Sequence, residues 1–168
     1  PGLNINAIRT RARRLKRNKG LGLIVIDYIQ LIMGTGSKKT EGNRVQELSE
    51  ISRGLKILAK ELNVPVVLLC QLNRESEGRP GGRPELFHLR ESGAIEQDAD
   101  VVMLLYRPAL ARLTTDRESG YPTEGLGVVI VAKQRNGETG NAYFSHNPSL
   151  TKITDYTPPL EVLLKQAK

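Results

Sequence analysis

Three short, nearly unbroken aliphatic runs constrain this chain more than any other feature. Gly22-Leu23-Ile24-Val25-Ile26-Asp27, Val64-Pro65-Val66-Val67-Leu68-Leu69-Cys70 and Val101-Val102-Met103-Leu104-Leu105-Tyr106 lack the polar alternation of a sheet with one wet face. They read as strands buried on both faces, as in a parallel sheet covered by helices. Pro65 is tolerated where a strand starts. Between the first two runs, Val45, Leu48, Ile51, Leu55, Leu58 and Leu62 recur at helical spacing. This predicts a helix over 43–62, with Asn43 and Gln46 resembling a capping box. Strand, helix and strand in this order make a parallel crossover unit, right-handed by the general rule.

The remaining elements follow from periodicity and turn chemistry. Ile5, Ile8, Ala12 and Leu15 mark an amphipathic helix over 3–19, stopped by Gly20. Residues 33–40 read as a polar loop, residues 73–90 as a long surface loop, and residues 107–124 as another polar loop. A short helix is expected over 92–97. Residues 127–133 and 141–145 are expected to pair antiparallel through Asn136-Gly137, and a last strand lies near 152–156. No internal repeat or low-complexity tract interrupts the pattern. The fold class is α/β.

A chain of 168 residues suits one domain with its own core. Its single cysteine, Cys70, excludes a disulfide framework and a cysteine zinc site, and fits a reducing, cytoplasmic setting. No apolar run approaches the ~18 residues of a membrane span, so no membrane association is expected. The net charge is +7, yet it is local. Arg9, Arg11, Arg13, Arg14, Lys16, Arg17 and Lys19 lie in residues 1–20 without one acid, and elsewhere acids and bases balance. Such a patch reads as a seat for a polyanion or acidic partner, or as a solvated helix face. The chain opens at Pro1 without a methionine, as a fragment does.

In an open parallel sheet, ligands bind beyond the carboxyl ends of the strands. Asp27 ends the first run, and Gln71 follows the second. An acid after four aliphatics resembles a Walker B element, where a rigid carboxylate orients magnesium, often through water; otherwise it caps a strand. Gln71 offers an amide donor and acceptor to sense a γ-phosphate or position water; otherwise it is an ordinary loop residue. Lys133 and Arg135, two apart on a strand, project to the same side and suit a phosphate; otherwise they keep a hairpin soluble. Residues 34–40 end in Lys-Thr, as a P-loop does. However, Lys38 stands where that motif requires glycine before its lysine, so the segment is not a P-loop.

Four long segments carry a resemblance. Residues 21–31, residues 47–66, residues 90–100 (RESGAIEQDAD) and residues 132–137 (AKQRNG) occur in the order of the replicative DNA helicase DnaB family. The similarity runs from about Pro1 to Ser145. It implies a RecA-like three-layer sandwich: a mostly parallel sheet, an antiparallel hairpin near the C-terminus, and the N-terminal part of the fold absent. The chain is then one partial ATPase domain over 1–168, with a basic helix over 1–20 and a parallel core over 21–106. Loop and hairpin fill 107–145, and a tail of open role spans 146–168.

The resemblance further implies ATP and Mg2+ as cofactors and a homohexamer translocating on single-stranded DNA. Primase and a helicase loader are its implied partners. Asp27 would orient magnesium, Gln71 would sense the γ-phosphate, and Lys133 and Arg135 would reach the neighbouring subunit's nucleotide, Arg135 as arginine finger. Arg90, Glu91 and Gly93 would face DNA, from a loop feeding a helix N-terminus. The family's P-loop and water-activating glutamate lie before the matched part, so the isolated chain should hydrolyse ATP poorly and be marginally stable. His88 stands where the family usually has an acid, and Cys70 where it often has serine. The other readings are a non-catalytic DNA- or partner-binding fragment and a different RecA-like ATPase.

Overall fold

The computed structural model describes residues 3–34, 41–72, 82–147, 149 and 151–166, with the backbone alone for 41–43, 90–92, 165 and 166. The chain divides into two compact units, Pro1–Asn73 with Leu89–Ala99, and Arg74–His88 with Asp100–Lys168.

In the first unit, α1 (Ile5–Lys19) starts where the Asn4 side chain accepts from the Ala7 N–H at 2.9 Å. It ends at Gly20, whose φ of +77° a side chain would disfavour. Helix α2 (Glu41–Leu62) begins two residues before the expected start, so the Asn43 backbone lies inside its first turn rather than at its cap. Val45, the first residue of the expected apolar stripe, is exposed. The helix closes with Asn63 in the left-handed region and the Val64 N–H on the Ala59 carbonyl. Strands β1 (Ile24–Ile26) and β2 (Val66–Leu68) pair in parallel, Ile24 opposite Val66 and Ile26 opposite Leu68.

Ile26 and Leu68 pack on a core of Ile29, Ile32, Leu48, Ile51, Leu55 and Ile95. The other face of this sheet is not buried as expected: Val25 is 57% and Val67 47% exposed. Among the described residues only two strands pair here, and this face is left uncovered. Helices α1 and α2 approach where Gly54 leaves room. A Cβ on Gly54 would lie 2.7 Å from Ile5 Cγ1. Gly54→Ala, which stabilises an ordinary helix interior by about 1 kcal/mol, is therefore expected to lower the melting temperature. A rise would show that α1 shifts without cost.

Short helix α3 (Gly93–Asp98) belongs to the same unit, and its Ile95 joins the core. The expected surface loop before it is not all loop. Residues 73–81 lie outside the described residues, but Leu86–Ser92 forms a 3-10 helix that runs straight into α3, with His88 and Leu89 buried.

The second unit is a four-stranded antiparallel sheet, β3 (Val101–Tyr106), β4 (Leu126–Gln134), β5 (Gly140–Asn147) and β6 (Lys152–Asp155), in that order. The hairpin stands where the Asn136-Gly137 turn signal placed it, and the last strand lies where it was expected. Strand β3 was expected in the parallel core. It instead pairs antiparallel with β4 and alternates, with Val102, Leu104 and Tyr106 buried while Met103 and Leu105 are more than 60% exposed. An all-apolar strand shows no alternation in its sequence, so periodicity could not separate the two cases.

Across β4 and β5, the Phe144 ring lies over Gly127, where a Cβ would collide with it. Residues 107–124 are also more than a polar loop. A 3-10 turn (Pro108–Ala111) leads into a packed segment in which Asp116, Ser119 and Thr123 are buried. A final helix, α4 (Leu160–Gln166), was not anticipated in the tail. Its first turn closes through Val162 and Leu163 N–H groups on the Pro159 carbonyl. Among the described residues no helix is long and apolar enough to cross a membrane.

Candidate functional site

The β1–β2 pairing decides where Asp27 and Gln71 stand. Ile26 and Leu68 are register partners, so Asp27, one residue past β1, and Gln71, three past β2, leave the same end of adjacent parallel strands. Backbone bonds continue the pairing beyond the strands: Leu69 N–H donates to Ile26 O at 2.9 Å and Ile29 N–H to Leu69 O at 3.0 Å. The Asp27–Tyr28 peptide is cis. Asp27 is exposed, and among the described residues it makes no ion pair. A lone exposed carboxylate at a strand end suits a magnesium ion that keeps most of its waters and takes other oxygens from phosphate. Among the described residues no group of three or more His, Cys, Asp or Glu could hold a metal alone.

Sequence reasoning gave no role to the residues that hold this end together. Gln30, in a 3-10 turn over Ile29–Leu31, turns its amide onto the chain at Gln71. Its Nε2 donates to Gln71 O at 3.1 Å and lies 3.4 Å from Cys70 Sγ, and its Oε1 accepts from Gln71 N–H at 3.5 Å. Arg44 Nη2 in turn donates to Gln30 O at 2.8 Å, and Nη1 pairs with Glu47. Glu47 also accepts the Gly34 N–H. The one available signal was a second glutamine shortly after a strand end. Among the described residues, an apolar groove of about 610 Å³ between α1 and β1 has Asp27 and Arg11 as its only charged lining. With one cation against one acid, it does not suit a polyphosphate.

In the second unit, a bulge aims Lys133. Val131 pairs with Met103, yet Lys133 pairs with Val102, so Ala132 is an extra residue on β4. The bulge returns Lys133 to the face of Leu104 and Ile130 rather than that of Met103. Arg135 is not on the strand as expected. It opens the turn after Gln134, its N–H donating to Asp100 O at 2.8 Å and its Nε lying 3.4 Å from Asp100 Oδ1. The hairpin loop therefore sets its direction, not strand alternation. Both side chains of this pair are about half exposed.

Gly93 opens α3, is exposed, and a Cβ there would meet nothing within 4 Å. The side chains of Arg90 and Glu91 lie outside the described residues. The segment feeding Gly93 is the 3-10 helix Leu86–Ser92 rather than an open loop. His88, beside this segment, is buried, with Nδ1 accepting the Glu85 N–H at 2.8 Å and its ring 4.0 Å from Phe87. Within the second unit, Arg83 anchors the stretch before His88 to the sheet. It lies 3.5 Å from Asp116, 2.7 Å from Glu118 and 3.0 Å from Asn141 Oδ1, with its guanidinium over the Tyr106 ring. Burial first, and the Asp116 charge second, push the Tyr106 phenol above its ordinary range. Partners so far apart in sequence carried no signal. Elsewhere, Arg107 Nε donates to His146 Nε2 at 3.1 Å, and burial, then the Arg107 charge, hold that imidazole below its ordinary value.

On the basic helix, Arg13 forms a two-pronged bond with Glu61 at 2.5 and 2.9 Å, which lowers the Glu61 pKa. Arg11, Arg14, Lys16, Arg17 and Lys19 are exposed, and Arg9 is half-buried.

The fold is that of RecA-like ATPase domains. The chain superposes on one such solved ATPase domain with a TM-score of 0.79 and 35% identity, covering 93% of this chain and 52% of that one. It matches a DnaB-like replicative helicase, solved in a study of its interactions with primase, equally well (TM-score 0.79, 34% identity, 93% and 36% covered). The family model described as DnaB-like helicase C terminal domain matches residues 1–155, and the chain belongs to that family. It is 45% identical to the replicative DNA helicase DnaB of Rickettsia felis over 164 residues, 91% of this chain and 33% of the relative. With the DnaB of Geobacillus stearothermophilus it shares 49% over 155 residues, 92% and 32% of the two chains. It thus spans about a third of the length of these curated relatives.

Proposed function

We propose that this chain is part of a replicative, ATP-dependent DNA helicase that translocates on single-stranded DNA and unwinds the duplex. One observation carries the reading: the parallel β1–β2 pair presents Asp27 and Gln71 at one strand end, in a member of the DnaB-like family. ATP with Mg2+ is the cofactor that suits these donors, and its hydrolysis supplies the free energy of movement. Asp27 orients the metal through water. Gln71, an uncharged donor and acceptor, reads whether a γ-phosphate is present. Lys133 and Arg135 reach across to the nucleotide of an adjacent subunit in a homohexamer, where a guanidinium neutralises charge developing in phosphoryl transfer. Arg90, Glu91 and Gly93 face the DNA, and contacts to its backbone give grip without sequence preference.

Primase and a helicase loader are the expected partners, in the cytoplasm. A P-loop and a water-activating glutamate come from other parts of the parent protein. The 168-residue chain alone hydrolyses ATP poorly or not at all. The exposed Val25, Val67, Met103 and Leu105 make its isolated form prone to associate.

The test uses the full-length gene product. ATP hydrolysis stimulated by single-stranded DNA, together with unwinding of a forked duplex, supports the reading. Strong salt-dependent binding of single strands with no effect of ATP would replace it with a non-catalytic binding role. Strand exchange without unwinding would assign a different RecA-like ATPase.

A further inference from the structure

The contacts of Gln30 assign it a task beyond filling a turn: we infer that Gln30 is the positioning residue for Gln71. This rests on the reading of Gln71 as the group that senses the γ-phosphate. Strands β1 and β2 stop pairing as strands at Ile26 and Leu68, and the last backbone bonds between them involve Ile29 and Leu69. Beyond that point, among the described residues, no backbone–backbone hydrogen bond holds Gln71. The Gln30 amide takes that place. One carboxamide offers a donor and an acceptor side by side, as a peptide group does, and here both meet the N–H and C=O of a single residue, Gln71, at 3.5 and 3.1 Å. The side chain continues the ladder by one rung and leaves the Gln71 side chain free to act.

The base from which Gln30 acts is itself held. Ile29, its neighbour, is fully buried in the core, so the turn cannot swing outward without opening that core. The Gln30 carbonyl accepts from Arg44 Nη2 at 2.8 Å, and Arg44 is paired with Glu47 on the same turn of α2. The first described turns of α2 are thereby linked through Arg44 and Gln30 to the backbone of Gln71. A sensor must sit within a fraction of an ångström of the reacting phosphate, and a displacement of about 1 Å can cost a hundredfold in rate. Loss of the clamp should therefore appear in turnover rather than in nucleotide affinity.

The experiment measures steady-state ATP hydrolysis by the full-length protein carrying Gln30→Ala, Gln30→Met, Gln71→Ala or the Gln30→Ala/Gln71→Ala pair. Gln30→Met keeps the volume and removes both hydrogen-bonding atoms, so a loss shared with Gln30→Ala is not a packing effect. The expected result is a kcat lower by about 10- to 100-fold in both Gln30 variants, with KM for ATP within about twofold and an unchanged melting temperature. In the Gln71→Ala background, Gln30→Ala should cost nothing further, because a residue acting only through Gln71 has nothing left to position.

A further multiplicative loss in the double variant overturns the inference, as does a change confined to KM or a kcat within twofold of wild type. If Gln71→Ala itself leaves hydrolysis intact, the sensor reading fails, and the positioning role falls with it. If Gln71→Ala is impaired and both Gln30 variants are not, only the positioning role fails.

Discussion

Replacing Arg135 with alanine in the full-length protein is expected to lower kcat for ATP hydrolysis by about a thousandfold, the low end of what arginine fingers supply. That is about 4 kcal/mol of transition-state stabilisation. The fold should hardly notice. The side chain is half exposed, its contact with Asp100 is a surface pair worth under about 1 kcal/mol, and the backbone bond from Arg135 N–H to Asp100 O survives the substitution. Melting should therefore stay near wild type while turnover collapses. Subunit mixing tests the geometry directly. Arg135→Ala subunits retain Asp27, and Asp27→Asn subunits retain Arg135. If each site is shared between neighbours, mixing two inactive variants restores part of the activity. No recovery at any ratio would place both groups on one chain's site and remove the finger assignment.

Truncating Ile51 to alanine should produce the largest loss of stability by a single core change, about 2–5 kcal/mol. Ile51 is 1% exposed and sits among Ile29, Ile32, Leu48, Leu55 and Ile95, drawn from three separate parts of the unit. These cannot all close on the vacancy together. Chemical denaturation with Arg53→Ala as an exposed control, expected within about 0.5 kcal/mol, reads the difference. A cost below about 1 kcal/mol would mean that the core relaxes freely. The same cluster supports the turn bearing Gln30, so the variant should also lose turnover at temperatures where it remains folded.

Much of the proposed site could be named from the residues alone. Asp27 and Gln71 could be proposed from the sequence because strand ends are where parallel sheets bind ligands, although an acid there can also cap a strand and an amide can be an ordinary loop residue. The resemblance of residues 90–100 and 132–137 to the family picked out Gly93, Lys133 and Arg135. What stayed hidden depended on partners distant in the chain. Arg83 meets Asp116, Glu118 and Asn141, the nearest of them 33 residues away. Nothing in the local pattern of any of the four marks the others. Gln30 was visible as part of a motif, but its role depends on Gln71 standing opposite it.

The parallel β1–α2–β2 unit, the hairpin around Asn136-Gly137 and the family membership could all be read from the residues, because each is written in local periodicity, turn chemistry or contiguous motifs. Three-dimensional packing was needed to show that β3 runs antiparallel beside β4, that Arg135 leaves the strand and that Ala132 bulges to aim Lys133. It also placed His88 in a buried 3-10 helix rather than a surface loop. One cause underlies all four. An apolar run records a strand but not which of its faces is covered, which neighbour it pairs with or in what register. Those are settled by contacts and hydrogen bonds between segments far apart in the chain.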